Sequence, residues 1–257
     1  MFLPRIIPVL LLKGKGLVKT INFKEPRYIG DPINAVKIFN DLKADELVFL
    51  DIAASKEGRT IAIDLVKNIG DEAFMPFAVG GGIKSVKQIG ALISAGAEKV
   101  VINTESINNQ ALIPEAANHF GSQSIIVSID VKKNIFGDYK IYTGSGKIKN
   151  HVDLIDHIHN IERLGAGEIL INSIDNDGLM SGYDLKLIKV VTESVTIPVI
   201  ACGGAGCLDH LKQTFDYTNV SALAAGSMFV YHGSRKAVLI NYPSKIELLR
   251  LFKDSNE

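Results

Sequence analysis

Ala44-Asp45-Glu46-Leu47-Val48-Phe49-Leu50-Asp51-Ile52 is a short, almost unbroken apolar run opened by an acidic residue and closed by another. Its opening returns as Ala166-Gly167-Glu168-Ile169, an offset of 122 residues (46 to 168). The pair Gly81-Gly82 returns at the same offset as Gly203-Gly204, and Ile6-Ile7 with the following Leu10-Leu11-Leu12-Lys13 matches Ile125-Ile126 with Ile129-Asp130-Val131-Lys132 at an offset of 119. A continuous apolar run of this length reads as a strand buried on both faces. Working outward from it, similar runs occupy residues 5–12, 46–52, 75–80, 99–103, 124–130, 168–173, 198–202 and 222–225. Amphipathic stretches lie between them at 32–42, 60–69, 86–95, 114–120, 154–164, 185–192 and 208–215, and a last one follows at 245–252. Strict β/α alternation predicts a parallel sheet. Eight pairs can close it into a (β/α)8 TIM barrel, and the repeat predicts two duplicated half-barrels. A doubly wound open sheet is the structural alternative. No linker of biased composition separates the halves, so residues 1–257 read as one domain.

The bulk numbers agree with such an α/β fold and exclude other classes. The chain has 257 residues, 47% of them hydrophobic, with 28 basic and 28 acidic side chains. Zero formal net charge argues against a general affinity for nucleic acid or an anionic membrane. The two cysteines, Cys202 and Cys207, have no histidine at zinc-ligand spacing, which predicts no metal site. Sparse cysteine use fits a reducing cytoplasm, the expected location. The apolar start at residues 6–12 lacks a small-residue cleavage site, and no run approaches the ~20 apolar residues of a membrane span.

In a barrel of this type the chemistry sits where the strands end. Gly81-Gly82 follows the third strand and Gly203-Gly204 the seventh. Asn103-Thr104 ends the fourth, and Gly226-Ser227 follows the eighth. Glycines let a backbone approach an anion, and helix-start N–H groups carry partial positive charge. Each half therefore offers a phosphate cradle, and two cradles imply a long ligand with a phosphate at each end. The bland alternative is that the glycines only make tight turns; their recurrence at repeat-related positions favours phosphate. Such a ligand would place its reacting centre near the ends of strands one and five. Asp130 ends strand five and can serve as general acid or base. Asp51 on strand two is either functional or a structural acid bonded to backbone. Asp177 before Gly178 is either a rim carboxylate or an ordinary turn residue, and Lys19 either clamps a phosphate or is a solvated lysine.

These strings resemble the HisF family, the cyclase subunits of imidazole glycerol phosphate synthase, over essentially the whole chain. The likeness runs through Arg5-Ile6-Ile7-Pro8, Gly30-Asp31-Pro32, the quoted 44–52 stretch, Val79-Gly80-Gly81-Gly82-Ile83, Ile102-Asn103-Thr104, Phe120-Gly121-Ser122-Gln123, residues 165–170 and Ser181-Gly182-Tyr183-Asp184. The resemblance implies a partner, a HisH-like glutaminase, whose ammonia passes through the barrel to a bisphosphorylated nucleotide. It implies two catalytic aspartates at the ends of strands one and five, and no cofactor. It also implies a ring of charges at the strand starts where ammonia enters, here Arg5, Glu46, Lys99 and Glu168.

One position departs from the family. Asp130 is kept, but Leu11 stands where the family carries the first aspartate. Leucine cannot move a proton, and losing one positioned acid or base typically costs about 10²–10⁴ in rate. An intact ammonia entrance over a damaged chemical centre predicts a divergent HisF-like paralogue. The resemblance suggests that it serves an ATP-dependent sugar amidotransferase in surface-polysaccharide synthesis, forming an acetamidino group. The alternative is a true cyclase working through Asp130. Three minor readings complete the set. Lys13-Gly14-Lys15-Gly16 belongs to a mobile loop after strand one, residues 134–147 form a hairpin over the mouth, and His157 and His159 are surface residues.

Overall fold

Eight runs of aliphatic and β-branched residues pair side by side in parallel and close on themselves. In a computed structural model, which describes residues 3–233 and 235–253, these are β1 (Arg5–Lys13), β2 (Leu47–Asp51), β3 (Phe77–Gly80), β4 (Lys99–Ile102), β5 (Ile125–Lys133), β6 (Glu168–Ser173), β7 (Val199–Cys202) and β8 (Ala222–Ala225). Closure is carried by β1, which pairs with β8 (Ile6 against Leu223) and with β2 (Leu11 against Leu50). The doubly wound alternative is thereby excluded.

Alternation along each strand sorts side chains into two compartments. Ile7, Val9 and Leu11 of β1 join Val48, Ala78, Val101, Ile126, Leu170, Ile200 and Ala224 in the barrel interior. Ile6, Leu10 and Leu12 face outward into the layer between sheet and helices. The helices covering that layer are α1 (Pro32–Asp41), α2 (Ile63–Glu72), α3 (Val86–Ser94), α4 (Leu112–Phe120), α5 (Leu154–Arg163), α6 (Leu185–Ser194), α7 (Leu208–Tyr217) and α8 (Lys245–Lys253). Local chemistry sets their starts. Asp31 accepts from Asn34 N–H and precedes Pro32, while Ser85, Asp153 and Asp184 cap α3, α5 and α6 in the same way. Helix α2 begins three residues later than its apolar pattern predicts, because Ile61 N–H is tied to Gly81 O and holds the preceding segment extended.

The loop expected after the first strand is instead ordered β structure. Residues Gly16–Ile21 return antiparallel to β1, and Lys24–Gly30 pair beyond them. The hairpin expected at residues 134–147 is present: β5 extends past Asp130 and pairs with Tyr139–Thr143 across a turn in which Asn134 Oδ1 accepts from the N–H groups of Phe136 and Asp138. A following turn reaches across the mouth, where Ser145 Oγ donates to Ile52 O at 3.1 Å. The expectation for the two histidines is half corrected. His159 is exposed, but His157 sits on the buried face of α5 with Leu154, Ile158 and Ile161.

Candidate active site

The C-terminal strand ends surround a cavity of about 880 Å3. Leu11, Lys19, Asn103, Asp130, Asp177 and Gly203 all border it, so the structure brings the predicted residues of both halves to one space. Asp130 is buried on the inner face of β5, where its Oδ2 accepts from Asn103 Nδ2 at 3.1 Å. Burial, and then the charge of nearby Asp177, push its carboxyl up to about 7, while the amides of Asn103 and Asn172 pull the other way. Asp130 is thus able to exchange a proton near neutral pH, as a general acid or base requires.

The place expected to hold the matching carboxylate is apolar. Leu11 packs among the interior residues and pairs in register with Leu50 and Val18. Asp51 also borders the cavity, but it is held differently from a free catalytic acid. Val48 and Leu50 face the barrel axis, so Asp51 between Leu50 and Ile52 faces away from it. Its carboxylate is also committed: Oδ1 accepts from Ala53 and Ala54 N–H at 3.0 and 3.2 Å, and Oδ2 accepts from Arg59 at 2.6 Å. This is the structural role that the sequence left open, with Asp51 fixing the loop after β2.

Asp177 is more than a turn residue. Its Oδ2 accepts from Thr20 Oγ1 at 3.2 Å and its backbone O from Asn22 N–H at 2.9 Å, so it pins the Gly16–Gly30 hairpin to the loop after β6. Burial raises its pKa, against the opposing charge of Lys19 and the hydrogen bonds of Thr20 and Phe23. Lys19 is buried rather than solvated, and burial lowers its pKa despite the pull of Asp177. It makes no ion pair among the described residues, and its Nζ lies against Gly226, 1.9 Å from where a Cβ would stand.

The glycine pairs have a reason to be glycine even without a ligand. A Cβ on Gly82 would lie 1.9 Å from Arg59 O, and one on Gly204 would lie 2.1 Å from Gly182 O, with φ of +66° and +116°. Close approach of neighbouring backbone therefore demands both residues. Gly81, Gly82, Asn103 and Thr104 nonetheless border the cavity on one side, and Gly178, Gly203, Gly204 and Gly226 on the other. Ser227 opens onto a smaller neighbouring pocket instead.

At the opposite end of the barrel the four expected charges meet. Arg5 reaches Glu46 and Glu168, each at 2.5 Å, and Lys99 Nζ lies 3.0 Å from Glu46 and 2.7 Å from Glu168. Each cation touches both anions, which closes a ring below the apolar interior.

Two residues escaped sequence reasoning. Asn172 follows Glu168 and Leu170 on the inner face of β6, and its buried Oδ1 has no partner among the described residues. Strand alternation from Glu168 could have found it. Ser106 donates to Asn103 O at 2.7 Å and lies 3.4 Å from His157 Nε2, which ties the Asn103 backbone to α5. Among the described residues no cluster of histidine, cysteine and carboxylate side chains could hold a metal, and no helix is long and apolar enough to cross a membrane.

A closed (β/α)8 barrel with a polar cavity at the C-terminal strand ends and a ring of charges at the other end is the class of protein these features define. A family model described as histidine biosynthesis protein matches residues 5–236. A Bacillus cereus protein named imidazole glycerol phosphate synthase subunit HisF is 45% identical over 90% of this chain and 92% of its own length. A Pseudomonas aeruginosa protein, provisionally named as the synthase subunit hisF2, is 46% identical over 93% of this chain and 95% of its own. A Leptospira borgpetersenii protein, provisionally named as the HisF subunit, is 46% identical over 98% of this chain and 100% of its own. The chain belongs to the histidine biosynthesis protein family and within it is HisF-like.

Proposed function

We propose that this HisF-like barrel is the ammonia-carrying subunit of a glutamine amidotransferase complex. A HisH-like glutaminase docks at the face bearing the charge ring, and the ammonia it releases crosses the barrel. An ATP-dependent sugar amidotransferase then uses it to convert an acetamido group of a surface-polysaccharide sugar to an acetamidino group. The observation that carries this reading is Leu11. The interior position facing the cavity on β1 holds no proton-handling group, and the carboxylate of Asp51, on the cavity's border, is engaged with Arg59. The ring of Arg5, Glu46, Lys99 and Glu168 is complete. Four fully matched charges at the strand starts are costly to leave half-made, which fits a feature retained for passage while the ring-closing centre was lost.

The interior suits the cargo. Neutral ammonia can slip between packed apolar side chains such as Ile7, Val48, Ala78, Ile126 and Ala224, whereas ammonium would lose its hydration there. Each passage then requires the ring to part and reclose. The two glycine-rich sides of the mouth bind phosphate groups, which makes the barrel responsive to a phosphorylated ligand.

The test is a glutaminase assay of the partner with and without this chain, using glutamine labelled at the amide nitrogen. Label should appear in the amidated sugar when all components are present, and glutamine hydrolysis should rise when the barrel is added. Full turnover of the bisphosphorylated nucleotide with ammonium salts by the purified chain would sink the proposal. A second reading, the genuine cyclase, is favoured by Asp130, whose carboxyl near 7 is tuned for acid–base work. That reading requires Asp130→Asn to abolish cyclase activity and the gene to rescue a histidine auxotroph.

A further inference from the structure

Behind the β6–β8 side of the mouth lies a second pocket of about 230 Å3, sharing Lys19, Thr20, Glu25 and Gly178 with the main cavity. Three of the eight other residues lining it are basic. Arg27 comes from the outer strand of the first hairpin, and Arg235 and Lys236 come from the turn joining Tyr231–His232 to Ala237–Val238. None of Lys19, Arg27, Arg235 and Lys236 makes a side-chain hydrogen bond or ion pair among the described residues. Lys19 is the informative one: its ammonium is buried and, although it feels the charge of Asp177, no hydrogen bond or ion pair engages it among the described residues, so a bound anion would relieve its burial. Among the described residues lining the pocket the only carboxylate is Glu25, so the wall they form carries four positive charges against one negative, +3 in all.

The geometry points to a ligand with two linked phosphates at this end, a pyrophosphate-type group whose first phosphate lies in the cradle beside Gly178 and Lys19 and whose second enters the basic pocket. This rests on the cradle reading above and extends it. A single phosphate ester carries about −1.5 to −2 at neutral pH and would leave the pocket cationic. A second, linked phosphate brings the ligand close to the charge its walls present. Lys19 stands on the shared wall and is placed to touch both groups. Arg27 and Arg235 offer planar forks suited to phosphate oxygens, and Ser227 adds a hydroxyl. The inferred ligand class is therefore a terminal diphosphate, esterified at one end only as in a nucleoside diphosphate, rather than a molecule ending in one phosphate.

Calorimetric titration of the full chain with inorganic phosphate and with pyrophosphate, at fixed ionic strength and without divalent metal, tests this directly. Pyrophosphate should bind at least about tenfold tighter than phosphate, a difference of about 1.4 kcal/mol. The triple variant Arg27→Ser, Arg235→Ser, Lys236→Ser changes exposed side chains only and should unfold at the wild-type temperature. It should keep its phosphate affinity while its preference for pyrophosphate shrinks to within about twofold. Equal affinity for the two anions in the wild type, or an undiminished preference in the variant, overturns the inference while leaving the cradle intact. If neither anion binds, the cradle reading fails and this inference falls with it.

Discussion

Leu11 and Asp130 border one cavity from opposite walls of the barrel, and the contrast between them governs what the centre can do. Replacing the leucine by the missing acid is the sharpest probe. Leu11→Asp should raise ring closure from ammonium and the bisphosphorylated nucleotide by at least about 100-fold over wild type, the scale of one positioned acid or base. An unchanged rate would show that the leucine is not what disables the centre. Asp130 makes a separate prediction through stability. Its carboxyl is raised to about 7 in the folded chain, so its protonated form favours folding, and that contribution fades as pH climbs from its unfolded value through 7. Asp130→Asn carries no such charge. The variant should be more stable than wild type at pH 8 by about 2–4 kcal/mol, with the difference shrinking toward pH 4. Thermal unfolding at the two pH values checks the sign. His157 has the opposite dependence. Burial lowers its pKa and its Nδ1 has no partner among the described residues, so protonation opposes folding and stability drops as pH falls below the ordinary histidine value.

At the level of strands, helices and turns, the loops after β3 and β7 show why paired glycines recur. The neighbouring carbonyl oxygens of Arg59 and Gly182 occupy the space a side chain would need. Gly204→Ala should therefore destabilise by about 1–3 kcal/mol or more, from overpacking and positive φ together. Denaturant unfolding would measure it, and a neutral result would show that the loop yields easily. These same elements show what the sequence could reveal. All eight barrel strands were legible, because burial on both faces leaves a continuous apolar signature in runs such as Leu47–Asp51. The first hairpin was not. Its outer strand, Lys24–Gly30, is largely exposed and polar, and positive φ values at Asn22, Phe23 and Glu25 give its turn the look of irregular chain. His157 was legible in principle. The spacing of Leu154, His157, Ile158 and Ile161 marks one helix face, and comparing the two histidines only with each other hid it. The cavity residues were found because the repeat marks strand ends. The role of Asp51 stayed open in the sequence, because its Arg59 partner, eight residues on in a loop, leaves no periodic trace.

Over the molecule as a whole, polar chemistry is concentrated at two ends of an apolar barrel. The lower end is a ring in which every member depends on the others. Glu168→Gln would leave Arg5 and Lys99 sharing one anion. Because Arg5 is 32% exposed, the loss should be about 1–3 kcal/mol rather than the full penalty of a deeply buried pair. On the proposed function the same variant should uncouple the complex, with the glutaminase still cleaving glutamine while labelled nitrogen escapes into bulk ammonium. Retained transfer with an unpaired ring would show that the ring does not control passage.

The turn over the mouth is held to the far wall by little. The Gly16–Gly30 hairpin is fastened to the β6 side by Asn22 and Thr20, through Ile174, Asp175 and Asp177. Among the described residues the 144–147 turn reaches the β2 side through a single hydrogen bond, from Ser145. One such bond is worth about 0.5–1.5 kcal/mol, only one to three times thermal energy. That latch is thus the weakest fastening of the roof, the side on which a visiting molecule meets least resistance.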